Sequence, residues 1–139
     1  MPILTRWFIK TSLVYFVAAL VVGVAQTAHA PLSLASGLAA AGPVYVHLLV
    51  VGWITQMIFG VAYWMFPKHS TEAPRGNDRL AIAAYVCLNA GLLLRVIAEP
   101  AYALHSATGF GRTLGLSATL QWLGGMAFVA NTWARVKER

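Results

Sequence analysis

The sequence predicts an all-α membrane protein, a bundle of four transmembrane helices with both termini cytoplasmic. Three observations predict it. Of the 139 residues, 59% are hydrophobic and only 10% charged, and the mean hydropathy is +0.68, outside the usual soluble range. Four apolar runs, at about 11–30, 43–66, 80–104 and 113–134, each reach the roughly 20 residues that a helix needs to cross a bilayer. The basic residues alternate with the runs. Arg6 and Lys10 precede the first, Lys68, Arg75 and Arg79 separate the second and third, and Arg135, Lys137 and Arg139 follow the fourth. With four spans, all three groups fall on one side, which the positive-inside rule makes cytoplasmic. Only Arg95 and Arg112 depart from the pattern. Little chain lies outside the spans, so residues 1–139 read as one domain in the cytoplasmic (inner) membrane.

This distribution also explains the net charge of +6. It reflects topology and contact with anionic lipid headgroups rather than nucleic-acid binding. The single cysteine, Cys87, lies inside the third run, where it reads as a small apolar packing residue.

Taken in order, the first run has the layout of a secretory signal. Arg6 and Lys10 are basic, residues 12–23 are apolar, and Ala28, His29 and Ala30 match an A-x-A cleavage site. The expectation is a retained first helix that ends at Pro31. The connection PLSLASGLAAAGP is small, punctuated and weakly apolar, as befits the outer interface. Pro43 suits the first turn of the second helix, which stops at Pro67. The loop KHSTEAPRGNDR is the most polar segment, and Asn77 or Asp78 can cap the third helix. That helix reaches Pro100, a possible kink. The fourth follows the outer loop HSATGFGRT, with Gly111 and Gly115 forming a GxxxG at its mouth, a weak packing signal.

Within this topology His29, His47 and His105 gather at the outer side, while His69 stands in the cytoplasmic loop. A histidine inside a membrane helix is costly and usually has a partner or ligand. Imidazole is the commonest protein ligand for haem iron and copper. At 100° per residue, His47, Val51, Ile54, Ile58, Val61 and Met65 form one stripe of the second helix. A porphyrin could lie against it with its iron at His47, or the stripe could simply meet lipid or core. The opposite face carries Gly52, Gln56 and Gly60, small residues for close helix approach with an amide to hydrogen-bond across. Arg95 and Glu99 make an i,i+4 pair at about the depth of His47. They either neutralise each other or leave Arg95 to hold an anionic group such as a haem propionate. Tyr85, Asn89 and Gln121 read as interhelical hydrogen-bonding groups.

The segment VHLLVVGWITQMIFGVAYWMFP resembles the second transmembrane helix of haem–copper oxidase subunit I, especially its cbb3-type and nitric-oxide-reductase branch. LNAGLLLRVIAEP looks like the third helix of that family and KTSLVYFVAALVVG, more weakly, like the first. In that family a histidine near the outer end of the second helix is an axial ligand of the low-spin haem. The resemblance implies that His47 holds haem b in a small, stand-alone relative of the first four helices. It does not extend to the chemistry. No later helix carries paired histidines, and the copper-binding histidine cluster and catalytic tyrosine are missing, so reduction of oxygen or nitric oxide is not expected.

Three functions compete. The first is a b-type haem protein for electron transfer or small-gas binding. Its sixth ligand is His105, His29 or a second copy of His47, within a homodimer or a homotrimer. The second is a non-catalytic accessory subunit of a larger respiratory or other membrane complex. The third is a copper site built from His29, His47 and His105. An autonomous enzyme is not expected, because no nucleophile–base pair or paired carboxylates are present.

Overall fold

The computed structural model describes residues 1–32, 41–71, 74–105 and 108–136, with the side chains of 29–32, 105 and 108 outside the description. The connection between the first two helices therefore lies largely outside it. Helix α1 spans Ile3–Leu32, α2 spans Gly42–Met65, α3 spans Asp78–His105 and α4 spans Thr108–Thr132. A single 3₁₀ turn, Trp133–Arg135, closes the chain. All four helices are long and apolar enough to cross a membrane, the character of a multi-pass membrane protein, and no strand occurs among the described residues.

Helix α1 starts well before the apolar run from residue 11. Leu4 and Phe8 explain this, since both are buried against Tyr63 of α2 and Ala81, Ala84 and Leu88 of α3. Packing extends the helix past the hydrophobic stretch, and Arg6 and Lys10 stay on its exposed side. Helix α3 continues through Pro100 to His105, in line with the apolar run of 80–104. Asn77 caps α3, its side-chain oxygen accepting the Arg79 amide at 2.9 Å, which satisfies one of the amides left free at a helix start.

Close approach is made by glycines. A Cβ on Gly52 would sit 2.8 Å from Tyr15 Cβ and 2.9 Å from Leu92, and one on Gly60 would sit 2.8 Å from Phe8 Cβ. Gln56 lies between them, fully buried. It exchanges hydrogen bonds with Asn89 of α3, donating at 3.3 Å and accepting at 3.2 Å. Tyr15 of α1 donates to the same Asn89 oxygen at 3.0 Å, and Thr11 bonds Tyr85 at 2.8 Å. Three helices are thus tied at mid-depth by amides and hydroxyls, each such bond contributing about 1 kcal/mol in a membrane. On the other side, Ser117 of α4 donates to the Gly91 carbonyl at 2.7 Å. Phe59 of α2 stacks on Phe128 of α4 with ring centroids 3.6 Å apart.

The basic end is closed by one side chain. Arg135 is only 1% exposed. Its Nε donates to the Pro67 carbonyl at 3.0 Å, and its Nη2 donates to those of Tyr63 at 3.1 Å and Phe66 at 2.9 Å. Nη1 reaches the Arg75 carbonyl at 3.5 Å. The Tyr63, Phe66 and Pro67 carbonyls lie at and just beyond the end of α2, where the helix itself cannot satisfy them, and a cation there also meets the negative end of the helix dipole. Asn131 fastens the loop beside it, accepting the Asn77 amide at 2.7 Å and donating to the Arg75 carbonyl at 3.2 Å. Gly76, with φ of +79°, makes the turn between those two bonds. Tyr63 donates to Asp78 at 2.7 Å. Hence the start of α1, the α2–α3 loop and the end of α4 share one end of the bundle.

Candidate functional site

The site is built on an irregularity of α2. Residues Gly42–His47 are α-helical, Leu48–Thr55 form a π-helical segment, and Gln56–Met65 return to α. Wide turns of this kind are rare and concentrate at functional positions. Here the segment begins directly after His47. In a regular helix a residue four positions on drifts about 40° around the axis, so a fourfold spacing soon leaves its face. The wide turn cancels that drift. Val44, Leu48, Gly52, Gln56 and Gly60, four apart, all remain buried.

The stripe read at 100° per residue therefore divides. His47 and Val51 are half-buried toward the bundle, whereas Ile54 and Ile58 lie on the exposed line with Val50. Val51 packs against both apolar clusters of the core. Met65, at the end of the stripe, is exposed.

Pro43 opens α2 and contributes the contact that orients His47. The imidazole Nδ1 lies 2.8 Å from the Pro43 carbonyl oxygen. A carbonyl only accepts, so Nδ1 carries the proton and donates. Nε2 of the neutral ring then keeps its lone pair, the form in which imidazole binds a metal. Nδ1 also stands 3.8 Å from Glu99 Oε2. Glu99 Oε1 accepts a hydrogen bond from Arg95 Nε at 3.0 Å, while Oε2 is buried without a hydrogen-bond partner. The side chains of His47, Glu99 and Arg95 are 25%, 13% and 22% exposed. Burial of the carboxylate weakens solvent screening and so strengthens its pairing with Arg95. Arg95 commits only Nε among the described contacts, so its terminal nitrogens remain able to grip a second anion.

The structure thus brings His47, Glu99 and Arg95 together between α2 and α3. Glu99 is the residue that reading one helix at a time left out as a partner of His47. Its i,i+4 spacing from Arg95 marked the pair, and the shared depth with His47 was the available clue. The side chains of His29 and His105 lie outside the described residues. Among the described residues, no group of three histidine, cysteine or acidic side chains could hold a metal ion. His69 is exposed at the basic end, and Gln121 donates to Ser117 of its own helix at 3.2 Å.

No family model, curated protein or solved structure matches the chain.

Proposed function

We propose that this chain is a b-type haem-binding integral membrane protein for electron transfer or small-gas binding, with His47 Nε2 as the axial donor. The observation that carries the reading is the hydrogen bond from Nδ1 to the Pro43 carbonyl. It fixes the ring and its tautomer and leaves the other nitrogen bare, as a ligating histidine requires. The donor set therefore fits one axial position of a haem. Bound there, the haem would supply an iron for one-electron transfer or for gas binding. Arg95, which donates only through Nε to Glu99 among the described contacts, would hold a propionate. Val51 packs beneath His47, and Ile54, being exposed, would wall a porphyrin shared with a second or third copy of the chain, with Ile58 a turn further along the same exposed line. His105, His29 or the His47 of another copy would supply a second imidazole to hold the group. The resemblance of the second, third and first helices to haem–copper oxidase subunit I supports the same assignment. The basic end is placed in the cytoplasm, and the protein in the inner membrane, on the positive-inside rule.

The test is an absorption spectrum of the purified, detergent-solubilised protein, oxidised and then dithionite-reduced, beside His47→Ala. A sharp Soret band with split visible bands on reduction, lost in the variant, is expected. Metal analysis of the same sample separates iron from copper and so tests the three-histidine copper site.

A second reading is an accessory subunit of a larger membrane complex. The 3.8 Å approach of His47 to Glu99 favours it, because a histidine partnered within its own bundle is accommodated without any cofactor. A featureless spectrum, with stable copurification of partner subunits, selects this reading.

A further inference from the structure

At the basic end, Trp64, Phe66, Lys68, Pro74, Arg75 and Arg135 enclose a pocket of about 190 Å³. Three of these residues are cations and none is a carboxylate. Arg135 spends four of the five N–H groups of a guanidinium on carbonyl oxygens. Those carbonyls solvate its charge without neutralising it, and one Nη1 proton stays unused. The ion pairs among the described residues, those of Glu99 with His47 and Arg95, belong to the other end of the bundle. Among the described residues this partly buried positive pocket has no carboxylate in its lining; Asp78, which shares a neighbouring pocket with Arg75, is engaged by the Tyr63 hydroxyl.

Directly beside it, Met57, Ile58, Val61, Ala62, Met65 and Phe66 line an apolar groove of about 590 Å³ along α2. Phe66 lines both cavities, so the change from charge to hydrocarbon happens at one side chain. From Met65 to Met57 the helix climbs roughly 12 Å at its usual rise, close to the roughly 15 Å of hydrocarbon in one leaflet. Trp64 at the pocket and the exposed Trp133 at the same end mark the level of the headgroups, where tryptophan collects.

We propose that the basic end holds one anionic phospholipid, its phosphate in the Lys68, Arg75 and Arg135 pocket and an acyl chain in the groove from Phe66 to Met57. Charge complementarity selects this occupant. A free phosphate leaves the groove unfilled, and a neighbouring apolar helix leaves three cations unpaired. Lysine and arginine bind phosphate oxygens by charge-assisted hydrogen bonds, and the membrane supplies the chain that continues from them.

The experiment is native mass spectrometry of the full chain in detergent, titrated separately with dioleoyl-phosphatidylglycerol, dioleoyl-phosphatidylcholine and inorganic phosphate. One phosphatidylglycerol per chain is expected, in preference to phosphatidylcholine. Lys68→Gln and Arg75→Gln should each weaken it by about fivefold, the usual worth of one basic residue at an anionic membrane surface. Both leave the loop fastening intact, since Arg75 contributes its carbonyl to that fastening rather than its side chain. Val61→Trp fills the groove without altering charge and should weaken lipid binding too, while circular dichroism and elution stay as in the parent. Equal retention of both lipids overturns the proposal. So does competition by inorganic phosphate at equal concentration, which would make the pocket a simple anion site. A dimer that forms irrespective of lipid and is broken by Val61→Trp also overturns it, because a second copy then covers the groove.

Discussion

Replacing Arg135 with alanine is expected to destabilise the bundle by about 3 kcal/mol, the largest effect of any single basic residue in the chain. The substitution removes four charge-assisted donors at once and strands the carbonyls of Tyr63, Phe66 and Pro67, of which the first lies in a buried residue. It also frees the end of α4 from the end of α2. Arg135→Lys should recover only part of the loss, because a single ammonium on a flexible stem cannot fork to Nε and Nη positions at once. Unfolding of the detergent-solubilised protein, followed by circular dichroism as a denaturing detergent is added, measures the difference. Arg112→Ala, at an exposed position near the other end, is the matched control and should leave the midpoint unchanged.

Gly91→Ala is expected to have the next largest effect, about 2 kcal/mol destabilising, within the range for overfilled cores. A Cβ at Gly91 would sit 2.8 Å from the Ser117 carbonyl oxygen and 3.1 Å from the Gln121 backbone nitrogen. Backbone of a packed helix cannot rotate out of the way as a side chain can. The two helices must separate, and the 2.7 Å bond from Ser117 to the Gly91 carbonyl lengthens with them. Gly115→Ala is the informative contrast. Nothing lies within 4 Å of a Cβ there, so the substitution should be neutral or slightly stabilising through better helix propensity. The same unfolding measurement distinguishes the two.

These two glycines show where the sequence could be read and where it could not. Gly52 and Gly60, about two turns apart around Gln56, announced a packing face, and that face packs against Tyr15, Phe8 and Asn89 as the pattern required. Gly111 and Gly115, the weaker signal, make no comparably close approach: a Cβ on Gly111 would meet Tyr102 at an ordinary 3.7 Å, and one on Gly115 nothing within 4 Å. The α3–α4 contact uses Gly91 and Gly124 instead, single glycines whose neighbours lie on another helix. Spacing within one helix carries information about that helix's own face and none about which face its neighbour selects. Arg135 illustrates a second limit. Its charge fitted a basic cytoplasmic tail, and no local signal distinguished it from Lys137 or Arg139, because its partners are backbone carbonyls sixty or more positions away. At the outer site, the residue types and depth of His47, Arg95 and Glu99 were legible. The meeting of His47 with Glu99 was not, since it depends on how α2 is wound.

That winding has a consequence for the way α2 can change. A π-helical segment amounts to one residue added to a helix whose two ends stay in place. Helix α2 therefore behaves as two rods joined by a coupling. The rod from Gln56 to Met65 is clamped by Gly60, Tyr63 and the cap from Arg135, while the rod from Gly42 to His47 takes its bearing from the coupling. Removing one residue from the coupling would let it close into a regular helix with both rods near their present bearings, whereas removing one from a regular turn would rotate everything beyond it by about 100° and carry His47 off the Glu99 side. The stretch from Leu48 to Thr55 can thus give up a residue at little cost to the bearing of the imidazole, a slack that the flanking rods lack.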